Sequence, residues 1–265
     1  MLKDVTLGQY FPGNTIVHRL DPRTKLIIVI IYIVALFQAS SWLSYGIIFA
    51  VTAVCMALSK IRPKNIFNGL KGMLVIICLT ALLNIFYTEG TAVRPGWIIT
   101  YEGIDRAFKM ILRIVMLITG TFLLTYTTSP IALTDGMELL MAPLKRINVP
   151  VHEMTMMMSM ALRFIPSLIE ETNKIMSAQK ARGANFETGG ILQRAKALVP
   201  ILVPLFVSSF RRADELAVAM ECRCYHGGEG RTRMKQLKMA ARDFIALTLA
   251  LLFLALIIFL KVKFK

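Results

Sequence analysis

The strongest constraint on this chain is a long run without one charged side chain, which extends from Leu26 to Ser59. As a single helix this run would be roughly 50 Å long, which is too long for one crossing of a ~30 Å hydrocarbon core. Ser40 and Ser41 interrupt the apolar residues near its middle. We therefore expect two short membrane spans, at about residues 22–39 and 42–59. Asp21 and Pro22 are typical of the first residues of a helix and predict where the first span starts.

Three further uncharged runs predict three more spans. They lie between Lys71 and Glu89, between Arg113 and Asp135, and between Asp243 and Lys261. The middle span is expected to begin earlier, near Gly103. A shorter run at residues 197–210 is interrupted by Pro200 and Pro204, so we expect a packed or interfacial helix there, not a crossing.

Composition supports an integral membrane protein. Of the 265 residues, 56% are hydrophobic and only 18% are charged, and the mean hydropathy is +0.62. These values exclude a disordered tail, a disulfide-rich miniprotein and an ordinary soluble globule. The predicted fold class is an all-α integral membrane protein with about five transmembrane helices and a helical cytoplasmic domain that contains two long crossing helices.

The distribution of charge predicts the orientation and the domain limits. The chain has 31 Lys and Arg against 16 Asp and Glu, and residues 128–242 hold 16 of the basic and 10 of the acidic side chains. Basic loops stay on the cytoplasmic side of a membrane, so the N-terminus and residues 128–242 are expected to be cytoplasmic. The predicted domains are residues 1–127, with four spans, residues 128–242, the cytoplasmic insert, and residues 243–265, the last span.

The insert contains two long helical stretches, at about residues 151–182 and 192–223, that end alike. When Arg182 is aligned with Arg223, Ala178 falls on Ala219. We call this separation of 41 residues along the chain the repeat offset. An arginine at a helix end offers a planar fork to a carboxylate of a partner. The alternative is that cations simply favour the negative end of the helix dipole.

A methionine-rich segment lies near the start of the first long stretch: Met154, Met156, Met157, Met158 and Met160. Methionine side chains are flexible and tolerate repacking. The segment is therefore either part of a static core or a sliding contact, against the other long helix or against a partner chain.

Several classes of site and of enzyme are excluded or disfavoured. Cys222, Cys224 and His226 provide at most three metal ligands at cramped spacing, where a structural zinc site needs four, so no metal site is predicted. The chain has no HExxH, GxSxG, Walker A or paired-aspartate motif, so no catalytic residue is assigned and any nucleotide must bind to a partner. Lys109 and Arg113 form a basic stripe in the fourth span, with no acid in the neighbouring spans as a partner.

The sequence resembles the transmembrane T component of energy-coupling factor (ECF) transporters, the EcfT family, which includes CbiQ- and NikQ-like proteins. The resemblance runs essentially end to end, and its most specific motifs are in the insert. It is carried by Pro12-Gly13-Asn14, the segment His18 to Lys25, Met141-Ala142-Pro143-Leu144, Leu162-Arg163-Phe164-Ile165-Pro166 and the segment Ala178 to Gly183.

The resemblance implies which residues couple to an ATPase. In the family, two Ala-Arg-Gly motifs end two coupling helices, and each arginine docks into a groove of one ATPase subunit. Ala181-Arg182-Gly183 matches the first motif fully, whereas the second falls on Cys222-Arg223-Cys224 and keeps only the arginine.

The resemblance also implies partners and a location. The partners would be two similar or identical ATPase subunits, which bind ATP and Mg²⁺, and a substrate-binding membrane subunit, the S component. The chain itself would have no cofactor and no nucleic-acid partner. It would be a multi-pass protein in the lipid bilayer of a bacterial or archaeal cytoplasmic membrane, working in vitamin or transition-metal uptake. The alternative is a membrane scaffold that uses no energy, and co-purifying chains would distinguish the two.

Overall fold

The computed structural model describes residues 10–88, 91, 100–184, 186, 190–227 and 237–263. Every regular element longer than a single bridge residue in these ranges is a helix, which confirms the predicted all-α fold class. The elements, in chain order, are α1 (Pro22–Gln38), α2 (Trp42–Ser59), α3 (Pro63–Lys71), α4 (Leu74–Tyr87), α5 (Tyr101–Thr127), α6 (Pro130–Met141), a 3-10 helix (Ala142–Ile147), α7 (Val151–Ala181), α8 (Ile191–Glu221) and α9 (Ala241–Lys263).

The chain divides into two compact units. One, the spanning unit, comprises Gly8–Gly136 and Leu237–Lys265, and the other, the helical insert, comprises Met137–Gln236. The chain passes from one unit to the other within α6 and again before α9. The domain limits at residues 127 and 242 remain a prediction from charge and hydropathy.

The candidate membrane spans overlap the uncharged runs. Among the described residues, α2, α5 and α9 are each long and apolar enough to cross a membrane. Helices α3 and α4 make a fourth span if they are counted together, although the chain bends by 66° between them. Helix α1 has 17 residues, so it is about 26 Å long and slightly shorter than a ~30 Å core. Of the five spans that the sequence predicts, those at α1, with 17 residues, and α4, with 14 residues, are shorter than the three candidate helices.

Helix α5 is the centre of the spanning unit. Helices α1, α2 and α4 pack against α5, and α9 packs against α1. The core includes Leu36, Ile48 and Ile257, which are completely buried. Gly120 of α5 lets the ring of Tyr32 approach, because a Cβ there would lie 2.5 Å from a ring carbon. The Tyr32 hydroxyl then donates a hydrogen bond to the carbonyl of Met116 at 3.1 Å.

Buried polar groups fix the starts of α1 and α9. Asp21 caps α1 as predicted, with its carboxylate accepting a hydrogen bond from the backbone N–H of Arg23 at 2.9 Å. The carboxylate of Asp243, at the start of α9, accepts a hydrogen bond from the backbone N–H of Asp21 at 2.8 Å. The Lys25 ammonium donates to the carbonyl of Thr127, at the end of α5, at 2.9 Å. Three helix ends are therefore joined by hydrogen bonds, as buried polar groups require.

The helical insert has a much smaller core. Helices α7 and α8 are both 31 residues long, and they pack against each other. The buried apolar side chains in its described part are Val151 and Ile201. Much of the apolar surface of α8 is exposed, including Phe206 and Phe210, which are 61% and 68% exposed.

Candidate functional site

The candidate site begins at the end of α7. The helix ends at Ala181, and Gly183 then adopts the left-handed conformation, with a φ of 88°. The N–H of Gly183 donates to the carbonyl of Lys180, and the N–H of Ala184 donates to the carbonyl of Gln179, both at 3.0 Å. This pair of bonds is the Schellman motif, which satisfies the last carbonyls of a helix. Gly183 therefore caps this helix.

The end of α8 has the same hydrogen bonds without a glycine. The helix ends at Glu221, and Cys224 takes the left-handed conformation with a φ of 54°. The N–H of Cys224 donates to the carbonyl of Glu221 at 2.9 Å, and the N–H of Tyr225 donates to the carbonyl of Met220 at 3.1 Å. Cys224 is thus the structural counterpart of Gly183, displaced by the repeat offset.

This equivalence places Arg182 and Arg223 at the same position, immediately before the left-handed residue of each motif. Both side chains are exposed, and neither forms an ion pair with a described residue. Neither guanidinium is therefore engaged by a carboxylate of the described residues, and each can donate hydrogen bonds to a carboxylate.

Helices α7 and α8 are joined by one charged contact within the described part of the insert. The Arg212 guanidinium donates to the Glu171 carboxylate at 2.9 Å and to the Ser167 hydroxyl at 2.7 Å. Its central carbon lies 5.9 Å from the centre of the Phe164 ring. An acid of one long helix therefore pairs with an arginine of the other.

The contact also joins equivalent positions of the two helices. The separation of Glu171 and Arg212 along the chain is 41, which equals the repeat offset that relates Arg182 to Arg223. Equivalent positions of the two helices therefore meet at this contact. Arg182 lies as far beyond Glu171 as Arg223 lies beyond Arg212, which is about three helical turns, or about 16 Å along each helix.

The methionine segment contributes to two different surfaces. Met156 and Met160 line an open groove of about 680 Å³ between α7 and α8, together with Met220 and Arg223. Met154, Met157 and Met158 are 43%, 61% and 44% exposed, so the described part of the insert leaves a large part of each side chain uncovered. The sliding contact itself remains a prediction.

The other predicted site residues lie on the helix ends. Ala181 is the last residue of α7 and is exposed. Cys222 and Cys224, which follow α8, are exposed free cysteines. A Cβ added to Gly183 would meet no other described atom within 4 Å, so its left-handed backbone, and not crowding, is what favours glycine there.

The basic stripe in α5 has partners that the sequence alone did not indicate. The Lys109 ammonium pairs with Asp105, one turn earlier in its own helix, at 2.6 Å. Arg113 donates to the carbonyl of Ala39 at 3.2 Å and to the hydroxyl of Tyr45 at 2.8 Å. Arg113 therefore faces the helix bundle, where its partners are the dipoles of a carbonyl and a hydroxyl in place of an acid.

Comparison with known proteins identifies the family. The model of the CbiQ family, described as "Cobalt transport protein", matches residues 13–234. The chain belongs to this family. It is 55% identical over 95% of its length to a protein of Clostridium kluyveri, and 46% identical over 98% to one of Bacillus subtilis; these matches cover 94% and 100% of the two relatives. A protein of Ruminiclostridium cellulolyticum is 49% identical over the full length of both chains.

All three relatives are named energy-coupling factor transporter transmembrane protein EcfT. Together with the apolar helices, this similarity confirms the resemblance seen in the sequence. The chain is an EcfT-type transmembrane component of an energy-coupling factor transporter.

Proposed function

We propose that this chain couples two ATPase subunits to a separate substrate-binding membrane subunit in an ECF importer. The observation that supports this function best is the pair of equivalent helix ends at Arg182 and Arg223. Each presents an exposed guanidinium on the same hydrogen-bonded turn. Two equivalent ends suit two similar or identical binding grooves, one in each ATPase subunit.

The proposed mechanism is mechanical. ATP, bound with Mg²⁺ by the partner subunits, brings the two ATPases together. Their grooves hold Arg182 and Arg223, so the far ends of α7 and α8 move while the Arg212–Glu171 contact keeps the helices together between them. The movement passes along the helices and reorients the docked substrate-binding subunit. The chain itself performs no catalytic step.

The exposed apolar side of α8 supports a membrane-embedded partner. Leu202, Phe206 and Phe210 follow one another at every fourth position, so they share one face of the helix. They are 46%, 61% and 68% exposed. A contiguous apolar surface of this kind is typical of an interaction site, and we assign it to the substrate-binding subunit.

The cargo and location follow from the family and from the charge distribution. The family description names cobalt transport, and we propose that the complex imports a vitamin or a transition metal. Specificity belongs to the substrate-binding subunit. We place the protein in the cytoplasmic membrane, with its N-terminus and residues 128–242 on the cytoplasmic side, because the basic loops alternate accordingly.

The test combines co-purification with uptake. The wild type, Arg182→Ala, Arg223→Ala and the double variant are expressed with their partner subunits and reconstituted in vesicles. We expect wild-type protein to retain an ATPase pair and to support ATP-driven uptake. Each single variant should weaken both, because a hydrogen bond to a charged group is worth about 1.5–3 kcal/mol. Arg182→Lys should restore function only partly, since lysine lacks the planar fork.

Arg211→Ala is the matched control, because Arg211 is an exposed arginine in the body of α8. It should leave both measurements near the wild type. Wild-type uptake by the double variant would contradict the coupling role. Purification without any ATPase would instead favour a scaffold that uses no energy.

A further inference from the structure

A cluster of cationic side chains lies in the spanning unit. A pocket of about 380 Å³ is formed where the turn between α1 and α2 meets α4, α5 and the end of α9. Its described lining contains no carboxylate and four cationic side chains: Arg106, Lys109, Arg113 and Lys261. Ligand pockets in proteins have volumes of about 300–1,000 Å³, so this one is large enough for a small molecule.

Of the four cations of this pocket, two have an acidic neighbour among the described residues and two do not. Asp105 pairs with Lys109, and Glu102, which is near Arg106, accepts its hydrogen bonds from Thr91. In the described structure, Arg113 and Lys261 have only neutral partners. Arg113 has Ala39 and Tyr45, and the Lys261 ammonium donates to the side-chain amide of Gln38 at 2.5 Å.

One donor in the pocket has no partner among the described residues. The Nε of Arg113 is buried and makes no hydrogen bond with any of them. A buried donor is normally satisfied, and like charges in one pocket repel one another unless an anion lies between them. The pocket therefore has the excess of positive charge that an anionic ligand needs.

The side chains around the pocket indicate the level of the lipid headgroups. Trp42 begins α2, Tyr87 ends α4 and Tyr101 begins α5, and they are 48%, 82% and 62% exposed. Exposed Trp and Tyr at span ends are typical of the membrane interface. Phe37, which lines the pocket, is 61% exposed and continues it into the apolar surface of the spans.

We propose that this pocket binds the phosphodiester headgroup of an anionic phospholipid. Arg113 and Lys261 are the principal contacts to the phosphate oxygens, and Arg106 and Lys109 add charge at the rim. The acyl chains lie against the exposed apolar side chains beside Phe37. Arginine and lysine side chains form charge-assisted hydrogen bonds with phosphate oxygens, so they are suited to such headgroups. This inference is independent of the ATPase and of the transported substrate.

The test measures lipid binding by the full chain, purified in zwitterionic detergent with any partners that remain bound. It is titrated with phosphatidylglycerol, with phosphatidylcholine and with inorganic phosphate, and the bound lipid is counted by native mass spectrometry. We expect phosphatidylglycerol to bind about tenfold more tightly than phosphatidylcholine. Equal binding of the two lipids, or displacement of phosphatidylglycerol by millimolar inorganic phosphate, would overturn the proposal.

The variants use two lysines on the same helix end. Lys261→Gln removes a cation that lines the pocket, and we expect it to weaken phosphatidylglycerol binding about fivefold. Lys263→Gln is the matched control, because Lys263 is exposed on α9 and does not line the pocket. If the two variants lost the same amount of phosphatidylglycerol binding, the lipid would be attracted by surface charge in general, and the assignment to the pocket would be overturned.

Arg113→Lys tests the deeper contact. It keeps the charge and removes the fork, so it should bind the lipid less tightly than the wild type. Circular dichroism shows whether it is folded, and the Lys261→Gln comparison decides the proposal if it is not.

Discussion

The ends of α7 and α8 have the same backbone hydrogen bonds but different residues at the position that must be left-handed. Gly183 occupies it in one helix and Cys224 in the other. A left-handed conformation costs a residue with a Cβ about 1–2 kcal/mol, whereas glycine adopts it freely. The comparison shows that the turn is formed at both ends regardless of the residue, so the position of each arginine is set by the helix and its capping bonds.

Removing the contact between Arg212 and Glu171 is expected to have the largest effect on the stability of the two helix ends. Arg212→Ala removes hydrogen bonds to Glu171 and Ser167, and it leaves a half-buried carboxylate without its cation. We expect the free energy of unfolding to fall by about 2 kcal/mol. If the contact supports both ends equally, amide exchange at Ala184 and Tyr225 should become faster to a similar degree.

Hydrogen exchange measured by mass spectrometry checks this prediction, with Arg211→Ala as the control. Arg211 is exposed, so its loss should change stability by less than about 0.5 kcal/mol. Faster exchange at only one of the two turns would mean that the ends are stabilised independently of the contact.

Replacing the left-handed residue at the end of α7 is expected to have the second largest effect on stability. Gly183→Ala has room for its Cβ but must take an unfavourable backbone conformation. We expect it to destabilise the turn by about 1 kcal/mol, which corresponds to roughly fivefold faster exchange at Ala184. Cys224→Ala is its partner variant and should change exchange at Tyr225 very little, since one Cβ replaces another. A similar loss in both variants would contradict the distinction between the two ends.

The reverse exchange at α8 should have a smaller and opposite effect. Cys224→Gly removes the backbone strain, but glycine also increases the entropy of the unfolded chain. We expect a net gain of about 0.5 kcal/mol and slower exchange at Tyr225. Cys222→Gly is the control: Cys222 has a right-handed φ of −59°, so glycine there should destabilise the turn. Stabilisation by both variants would point to loss of a thiol, and not to relief of strain.

Much of this arrangement could be predicted from the sequence because its signals are local. The repeat offset identified Arg182 and Arg223, and Gly183 identified the end of α7. The left-handed Cys224 could not be predicted, because a cysteine gives no sign of that conformation; only the repeat would have suggested it. The same offset, applied to Glu171, falls on Arg212 and would have revealed the contact between the helices.

The bend between α3 and α4 and the partners of Arg113 were harder to predict. The uncharged run after Lys71 indicates one span, and hydropathy alone does not show that the preceding helix meets it at 66°. Arg113 is satisfied by the carbonyl of Ala39 and the hydroxyl of Tyr45, which are far from it along the chain. Only the packing of α1 and α2 against α5 brings these groups together, and no pattern of charges in the sequence indicates it.

The methionine segment is a further difference between the helices. At the positions of α8 that are equivalent to its methionines by the repeat offset, the residues are Ala, Leu, Val and Ile. We expect that replacing all five with Leu changes the free energy of unfolding by less than about 1.5 kcal/mol but alters transport. Leucine has the right volume but fewer ways to repack during a sliding movement.

Two partial variants locate the contact that such a movement would use. Met156→Leu with Met160→Leu changes only the groove against α8, whereas the triple change of Met154, Met157 and Met158 alters only exposed positions. A transport defect in the pair would place the movement between the two helices, and a defect in the triple variant would place it at a partner chain. Uptake is measured in vesicles with the amount of protein held constant. Wild-type uptake by the variant with all five replacements would remove the sliding contact and leave the segment as ordinary packing, since leucine fills a static site nearly as well as methionine.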